Sequence, residues 1–177
     1  KNEFTEEAFK EMANDNIRNI LIIRKLKELI NTGKKELNNT GKKILYFSTD
    51  VKQSLLVFIV LQQIGINAIH VQSGIDPSFR RQIIKKFKDT NEIDVICNYN
   101  IFSTGFDVPN LDVVFIARPV NSPVLFNQMV GRGTRGLKMG GTANHILLQV
   151  IDKIPSRFSD FDPYEQFSYW DDVWGSN

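Results

Sequence analysis

The sequence predicts an α/β domain: a mostly parallel sheet with helices on both faces. Three observations carry that expectation. Short apolar runs alternate with helical patterns along the chain, the order produced by parallel strands joined through crossover helices. The apolar runs are continuous rather than alternating, as in strands buried on both faces. The chain has 177 residues, of which 42% are hydrophobic and 24% charged, enough to bury one full core and too apolar for disorder over most of its length.

The elements follow in order. Residues 4–32 read as helix, because Phe4, Phe9, Met12, Ile17, Ile20, Leu21, Leu26, Leu29 and Ile30 recur at helical spacings. Asn14-Asp15-Asn16 is expected to break it in two, and residues 31–43 form a polar loop. Lys43–Phe47 is the first strand. Asp50 is placed to cap a helix, with Gln53 three residues on, and that helix runs to about Gln63 and stops at Gly65. Asn67–Val71 is the second strand. Asp76-Pro77 then gives a cap followed by proline at the first helical position, and Phe79, Ile83, Ile84 and Phe87 supply an apolar face. Ile93–Cys97 and Val113–Ile116 are the third and fourth strands. Ser122-Pro123 opens a helix to about Arg132, and His145–Val150 is the fifth strand.

Composition narrows the chemistry. The only cysteine, Cys97, forbids an internal disulfide, fits a reducing, cytoplasmic setting and excludes a cysteine-rich zinc module. With only His70 and His145 beside it, neither a multi-ligand transition-metal site nor a Ser-His-Asp or Cys-His pattern is expected. His70 and Cys97 read as structural strand residues. Residues 1–150 carry 20 basic and 14 acidic side chains, whereas residues 151–177 carry 2 and 6. A basic body with an acidic, aromatic tail permits a nucleic-acid partner. There is no transmembrane run, signal-peptide pattern or internal repeat.

Ligands of doubly wound sheets sit outside the carboxyl ends of the strands, so the loops after Phe47, Val71, Cys97 and Ile116 matter most. In Gln128-Met129-Val130-Gly131-Arg132-Gly133-Thr134-Arg135, two arginines three apart follow a helix, with glycines between them. Arginine presents a planar fork that fits phosphate oxygens, and glycine lets the backbone come close. A glycine-rich helix end balanced by arginine is the plainer reading of that run alone. Ser103-Thr104-Gly105-Phe106-Asp107-Val108-Pro109 offers a hydroxyl, free amides and a carboxylate, or merely a turn closed by proline. Ser48-Thr49 and Gln72-Ser73-Gly74 put small polar residues at two further strand ends. The basic face Arg80, Arg81, Lys85, Lys86 and Lys88 is solvated surface that can also steer nucleic acid. Arg118, after the fourth strand, faces the same edge or balances nearby acids.

Together, Ile44–Asp50, Ser73–Lys88, Thr104–Pro109 and Gln128–Arg135 resemble the carboxy-terminal motor lobe of superfamily 2 helicases and translocases, in the motifs numbered IV, IVa, V and VI. The resemblance spans residues 42–152, and the last motif fits Q-x-x-G-R-x-x-R at every fixed position. It implies a RecA-like lobe. It implies that Arg132 and Arg135 reach across a cleft to the γ-phosphate of ATP, with Gln128 lining that cleft. Gly105, Asp107 and Gly131 would lie beside the nucleotide. Ser48, Thr49, Ser73, Gly74 and Thr104 would touch the phosphate backbone of nucleic acid, with Arg80 fixing the Ser73-Gly74 loop. Gln128 stands where DEAD-box RNA helicases carry histidine. The two arginine- and aspartate-bearing motifs look more like type I and III restriction-enzyme motor subunits and related translocases, so double-stranded DNA is the expected partner.

The chain has neither a G-x-x-x-x-G-K-[ST] phosphate loop nor an acidic metal-binding box. The cradle for ATP and Mg²⁺ is therefore expected on an amino-terminal RecA-like lobe of the same protein. The chain begins at Lys1 rather than methionine and reads as a piece of a longer one. Residues 1–41 are expected as a helical linker from that lobe, 42–152 as the carboxy-terminal lobe and 153–177 as a tail that docks on this domain or another. Two other readings compete. A scaffold of the same shape without turnover would not need the paired arginines. An unrelated nucleotide-binding domain, such as half of a nucleotide-sugar transferase, would want a glycine-rich loop after the first strand.

Overall fold

Among the described residues, five four-residue strands form one sheet, all parallel: β1 (Ile44–Phe47), β2 (Ala68–Val71), β3 (Val95–Asn98), β4 (Val113–Ile116) and β5 (Ile146–Gln149). The computed structural model describes residues 5–36, 42–99, 111–120, 123–130 and 146–152. The helices are α1 (Glu6–Asn14), α2 (Asn16–Glu36), α3 (Val51–Gln63), α4 (Pro77–Asp89) and α5 (Pro123–Val130). The strand order is β2-β3-β1-β4-β5. The α/β expectation therefore holds, with β1 in the middle.

Strand periodicity divides the core. Leu45, Phe47, Ile96, Val114 and Ile116 face one side, where they pack with Ile83 and Phe87 of α4 and Phe126 and Met129 of α5. Ile44, Tyr46, Val95, Cys97, Val113 and Phe115 face the other, against Ile22, Leu26 and Ile30 of α2 and Val57 and Leu61 of α3. The Tyr46 and Phe115 rings meet edge to face at 5.7 Å between centroids. Cys97 lies inside this layer, where burial pushes its thiol far above the usual range and leaves it inert.

The local signals act as their chemistry requires. Asp50 accepts from the Gln53 N–H at 2.7 Å and starts α3. The helix ends where Gly65, at φ +80°, lets its own N–H reach Gln62 O and the Ile66 N–H reach Leu61 O. Those two bonds satisfy the terminal carbonyls, with Leu61 and Ile66 buried together. Asp15 separates α1 from α2 and caps the latter through the Arg18 N–H at 3.0 Å.

Two expectations need correction. The polar loop begins later than residue 31, since α2 continues to Glu36. α2 packs as a layer on this sheet: Leu26 and Ile30 are both 0% exposed. At about 1.5–3 kcal/mol for each fully buried aliphatic side chain, those two residues alone contribute on the scale of a domain's net stability. Its buried stripe is narrower than the spacing suggested, because Ile17, Ile20 and Leu21 are exposed.

Candidate functional site at the carboxyl edge

All five strands end level. Phe47 lies beside Asn98 and Ile116, Val71 beside Asn98, and Ile116 beside Gln149. The ladder runs one bond further, from Ser48 N–H to Asn98 O, Ala117 N–H to Phe47 O and Val150 N–H to Ile116 O. The chain thus leaves every strand at one edge.

Ser48 and Thr49 hold this edge from within. They are 0% and 1% exposed. The Ser48 hydroxyl is bonded to Asp50 O at 2.8 Å and Asn98 O at 2.9 Å, and the Thr49 hydroxyl donates to Ala117 O at 3.1 Å. Their hydroxyls are committed to neighbouring carbonyls in this structure and tie β1 to β3 and β4.

A buried polar network that sequence reading missed lies beneath them. Arg18 of α2 forks onto Asp152 after β5, with Nε–Oδ1 2.6 Å and Nη2–Oδ2 2.9 Å. It also donates to the Thr49 hydroxyl at 3.2 Å and to Ala117 O. One guanidinium therefore joins α2 to the ends of β1, β4 and β5. Beside it, the Gln53 amide donates to Asn19 at 2.8 Å, and its oxygen accepts from the Thr49 N–H at 2.7 Å and the Tyr46 hydroxyl at 3.3 Å. Asn98 donates to Tyr46 O at 2.8 Å. Local pattern could not reveal the Arg18–Asp152 pair, whose members are 134 positions apart.

Among the described residues of the edge, the turn after β2 is exposed. Gln72, Ser73 and Gly74 all face solvent, and Gly74 has φ +88°, a conformation that favours glycine. Asp76 occupies the amino end of α4, accepting from the Ser78 and Phe79 N–H groups. The Ser78 hydroxyl, then those two amides, hold its carboxyl below the usual range. The amino end of α4 is thus already filled by a carboxylate. Arg80 is half-buried in the first turn of α4.

α5 begins where the chain leaves the edge after β4. Phe126 and Met129 anchor it in the core, and Gln128 between them is exposed. Arg118 lies 5.6 Å from the ring centroids of both Phe9 and Tyr99, and burial lowers its pKa. It fastens α1 to the edge through cation–π contacts. His70 pairs with the buried Ser54 hydroxyl at 2.9 Å, the structural role expected of it, and burial lowers its pKa. Thr104, Gly105, Asp107, Gly131, Arg132 and Arg135 lie outside the described residues. Among the described residues no three His, Cys, Asp or Glu side chains are grouped to hold a metal ion, and no helix is long and apolar enough to cross a membrane.

Comparison with known proteins bears on this arrangement. A family model described as helicase conserved C-terminal domain matches residues 13–136. A curated protein of Saccharomyces cerevisiae, named "Putative ATP-dependent helicase IRC3", is 44% identical over 71 residues, covering 40% of this chain and 10% of that protein. This chain therefore matches only about a tenth of that relative's length. The crystal structure of T4 UvsW superposes with a TM-score of 0.62 at 19% identity, over 97% of this chain and 36% of the other. Mss116p DEAD-box helicase domain 2, bound to an RNA duplex, superposes with a TM-score of 0.58 at 19% identity, over 75% and 50%. At these identities the superpositions speak to fold.

Proposed function

Because this chain belongs to the family of helicase conserved C-terminal domains, we propose that it is the second, RecA-like motor lobe of an ATP-dependent helicase or translocase that tracks double-stranded DNA. The observation that carries this reading is the setting of α5. Phe126 and Met129 fix the helix in the core while Gln128 stays in solvent, so the run Gln128–Arg135 starts from a rigid, outward-facing support.

In this reading an amino-terminal RecA-like lobe holds ATP and Mg²⁺, and the bound nucleotide supplies the phosphoryl group. Arg132 and Arg135 neutralise charge as that group transfers. Gln128 lines the cleft, and Gly105, Asp107 and Gly131 sit beside the nucleotide. Ser73, Gly74 and Thr104 contact backbone phosphates, while Ser48 and Thr49 keep the edge in shape. The glutamine at 128, in place of histidine, and the Thr104–Pro109 run support a likeness to restriction-enzyme motors. The lone, buried Cys97 suits a cytoplasmic setting.

Phosphate contacts carry no sequence information directly. Fluorescence anisotropy with labelled duplexes is therefore expected to show weak binding by this chain with no sequence preference. Two neutralised phosphates would lower affinity about tenfold between 50 and 200 mM salt. Ser73→Asp should weaken binding several-fold, because it puts a carboxylate at the exposed turn. A tight, sequence-specific complex that survives high salt would overturn the reading. Preference for an RNA duplex would overturn the choice of DNA alone.

A further inference from the structure

Residues 100–110 and 153–177 lie outside the described residues. Among the described ones, α1 is lightly held. Ala13 is its one buried residue, and the Asn19 side chain donates to Ala13 O at 2.8 Å. Asp15, the single residue between α1 and α2, gives its carboxylate to α2. Phe9, half-buried in the middle of α1, has its ring centroid 5.6 Å from the Arg118 guanidinium, and the Tyr99 ring lies at the same distance. Tyr99 stands one residue after β3 and Arg118 two residues after β4. Those strands flank β1 on either side, so their ends are about 10 Å apart. The long arginine side chain thus ties two strand ends across the central strand, and Phe9 adds α1 to the tie.

We propose that Phe9 is a positioning residue of the motor, which acts through Arg118 and Tyr99 to hold the ends of β3 and β4 at a fixed spacing and so couples nucleic-acid contact to ATP turnover. The inference rests on the proposed function. In sequence, Tyr99 comes shortly before the run Thr104–Pro109, assigned to nucleic acid and nucleotide, and Arg118 before Gln128–Arg135, assigned to the phosphoryl group. A tie between the two strand ends therefore joins the roots of both segments. The ring quadrupole attracts the guanidinium, and the attraction grows as water is excluded, which suits a half-buried arginine. α1 is poorly suited to touch nucleic acid itself: its exposed side chains include Glu6, Glu7 and Glu11 against Lys10, and like charges repel a phosphate backbone. Its service to the edge runs through Phe9. Phe9 also precedes residues 13–136, which the family model covers, so membership of the family assigns it no role.

The test is made in the full-length protein. It reads the ratio of ATP turnover with and without a saturating DNA duplex, beside the Kd of that duplex. Phe9→Leu keeps the apolar bulk and removes the ring face, and is expected to lower the ratio about fivefold while the Kd changes less than twofold. Phe9→Tyr keeps the face, with its hydroxyl able to reach solvent from a half-buried position, and is expected to retain at least half of the ratio. Adding Phe9→Leu to Arg118→Met should cost nothing beyond Arg118→Met alone, because both changes break one tie. Equal losses in the leucine and tyrosine variants, or a further fall in the double variant, would assign Phe9 to packing and overturn the proposal. A stimulated protein indifferent to Phe9→Leu would overturn the proposal and leave the proposed function standing. An unmodified protein that DNA does not stimulate would overturn both.

Discussion

Arg132→Ala or Arg135→Ala, made in the full-length protein, is expected to lower ATP turnover by about 10³-fold or more while changing ATP affinity only a few-fold. The reason is electrostatic. In the proposed arrangement most ground-state affinity comes from the phosphate cradle and Mg²⁺ of the other lobe. The arginines act when the cleft closes and charge develops on the transferring phosphoryl group, so they stabilise the transition state more than the bound substrate. Lysine at either position should rescue poorly, because an ammonium cannot reproduce the planar, two-pronged contact. The check is kcat by a coupled ATPase assay beside Kd from a fluorescent nucleotide. Near-normal turnover in both alanine variants would mean that these arginines only terminate a helix.

Arg18→Ala is expected to be the most damaging single change for stability among the polar residues described. It removes the fork onto Asp152 and the bonds to Thr49 and Ala117. It also leaves a carboxylate only 18% exposed without its partner. Breaking a buried pair from one side costs about 3–5 kcal/mol. The lower figure fits here, since water reaches part of Asp152. For a chain of this length that is a fall of about 6–12 °C in Tm. The double change Arg18→Met with Asp152→Leu should cost less, because no charge is left stranded. Thermal unfolding followed by circular dichroism checks both. An unchanged Tm for Arg18→Ala would show that the network does not hold α2 to the edge.

Much of the scaffold was legible because it depends on near neighbours. Val113–Ile116 was readable to the residue as a continuous apolar run, and α3 was bracketed by Asp50 and Gly65, whose chemistry is local. The order of strands was not legible, since nothing in a crossover's sequence says that β3 must insert between β2 and β1. The width of the α2 stripe was misjudged because spacings of three to five admit Ile17, Ile20 and Leu21 as readily as Ile22, Leu26 and Ile30. Only the second set lies over the sheet. At the edge, a small hydroxyl reads the same whether it faces phosphate or a neighbouring carbonyl. Ser73 is exposed while Ser48 is not, and that difference comes from the turn at Gly74 and from Asn98 packing against β1. The Arg18–Asp152 fork joins the two ends of the domain and leaves no local trace.

In the proposed function this chain completes an ATP-driven motor on nucleic acid. Its most direct test is steady-state ATP hydrolysis by the full-length protein, with and without double-stranded DNA, beside the same assay on residues 1–177 alone. Turnover is expected to rise at least tenfold when DNA is added, with none above a contaminant control from the isolated chain, whose sequence has no phosphate loop. Turnover by the isolated chain, or a full-length protein indifferent to nucleic acid, would contradict it.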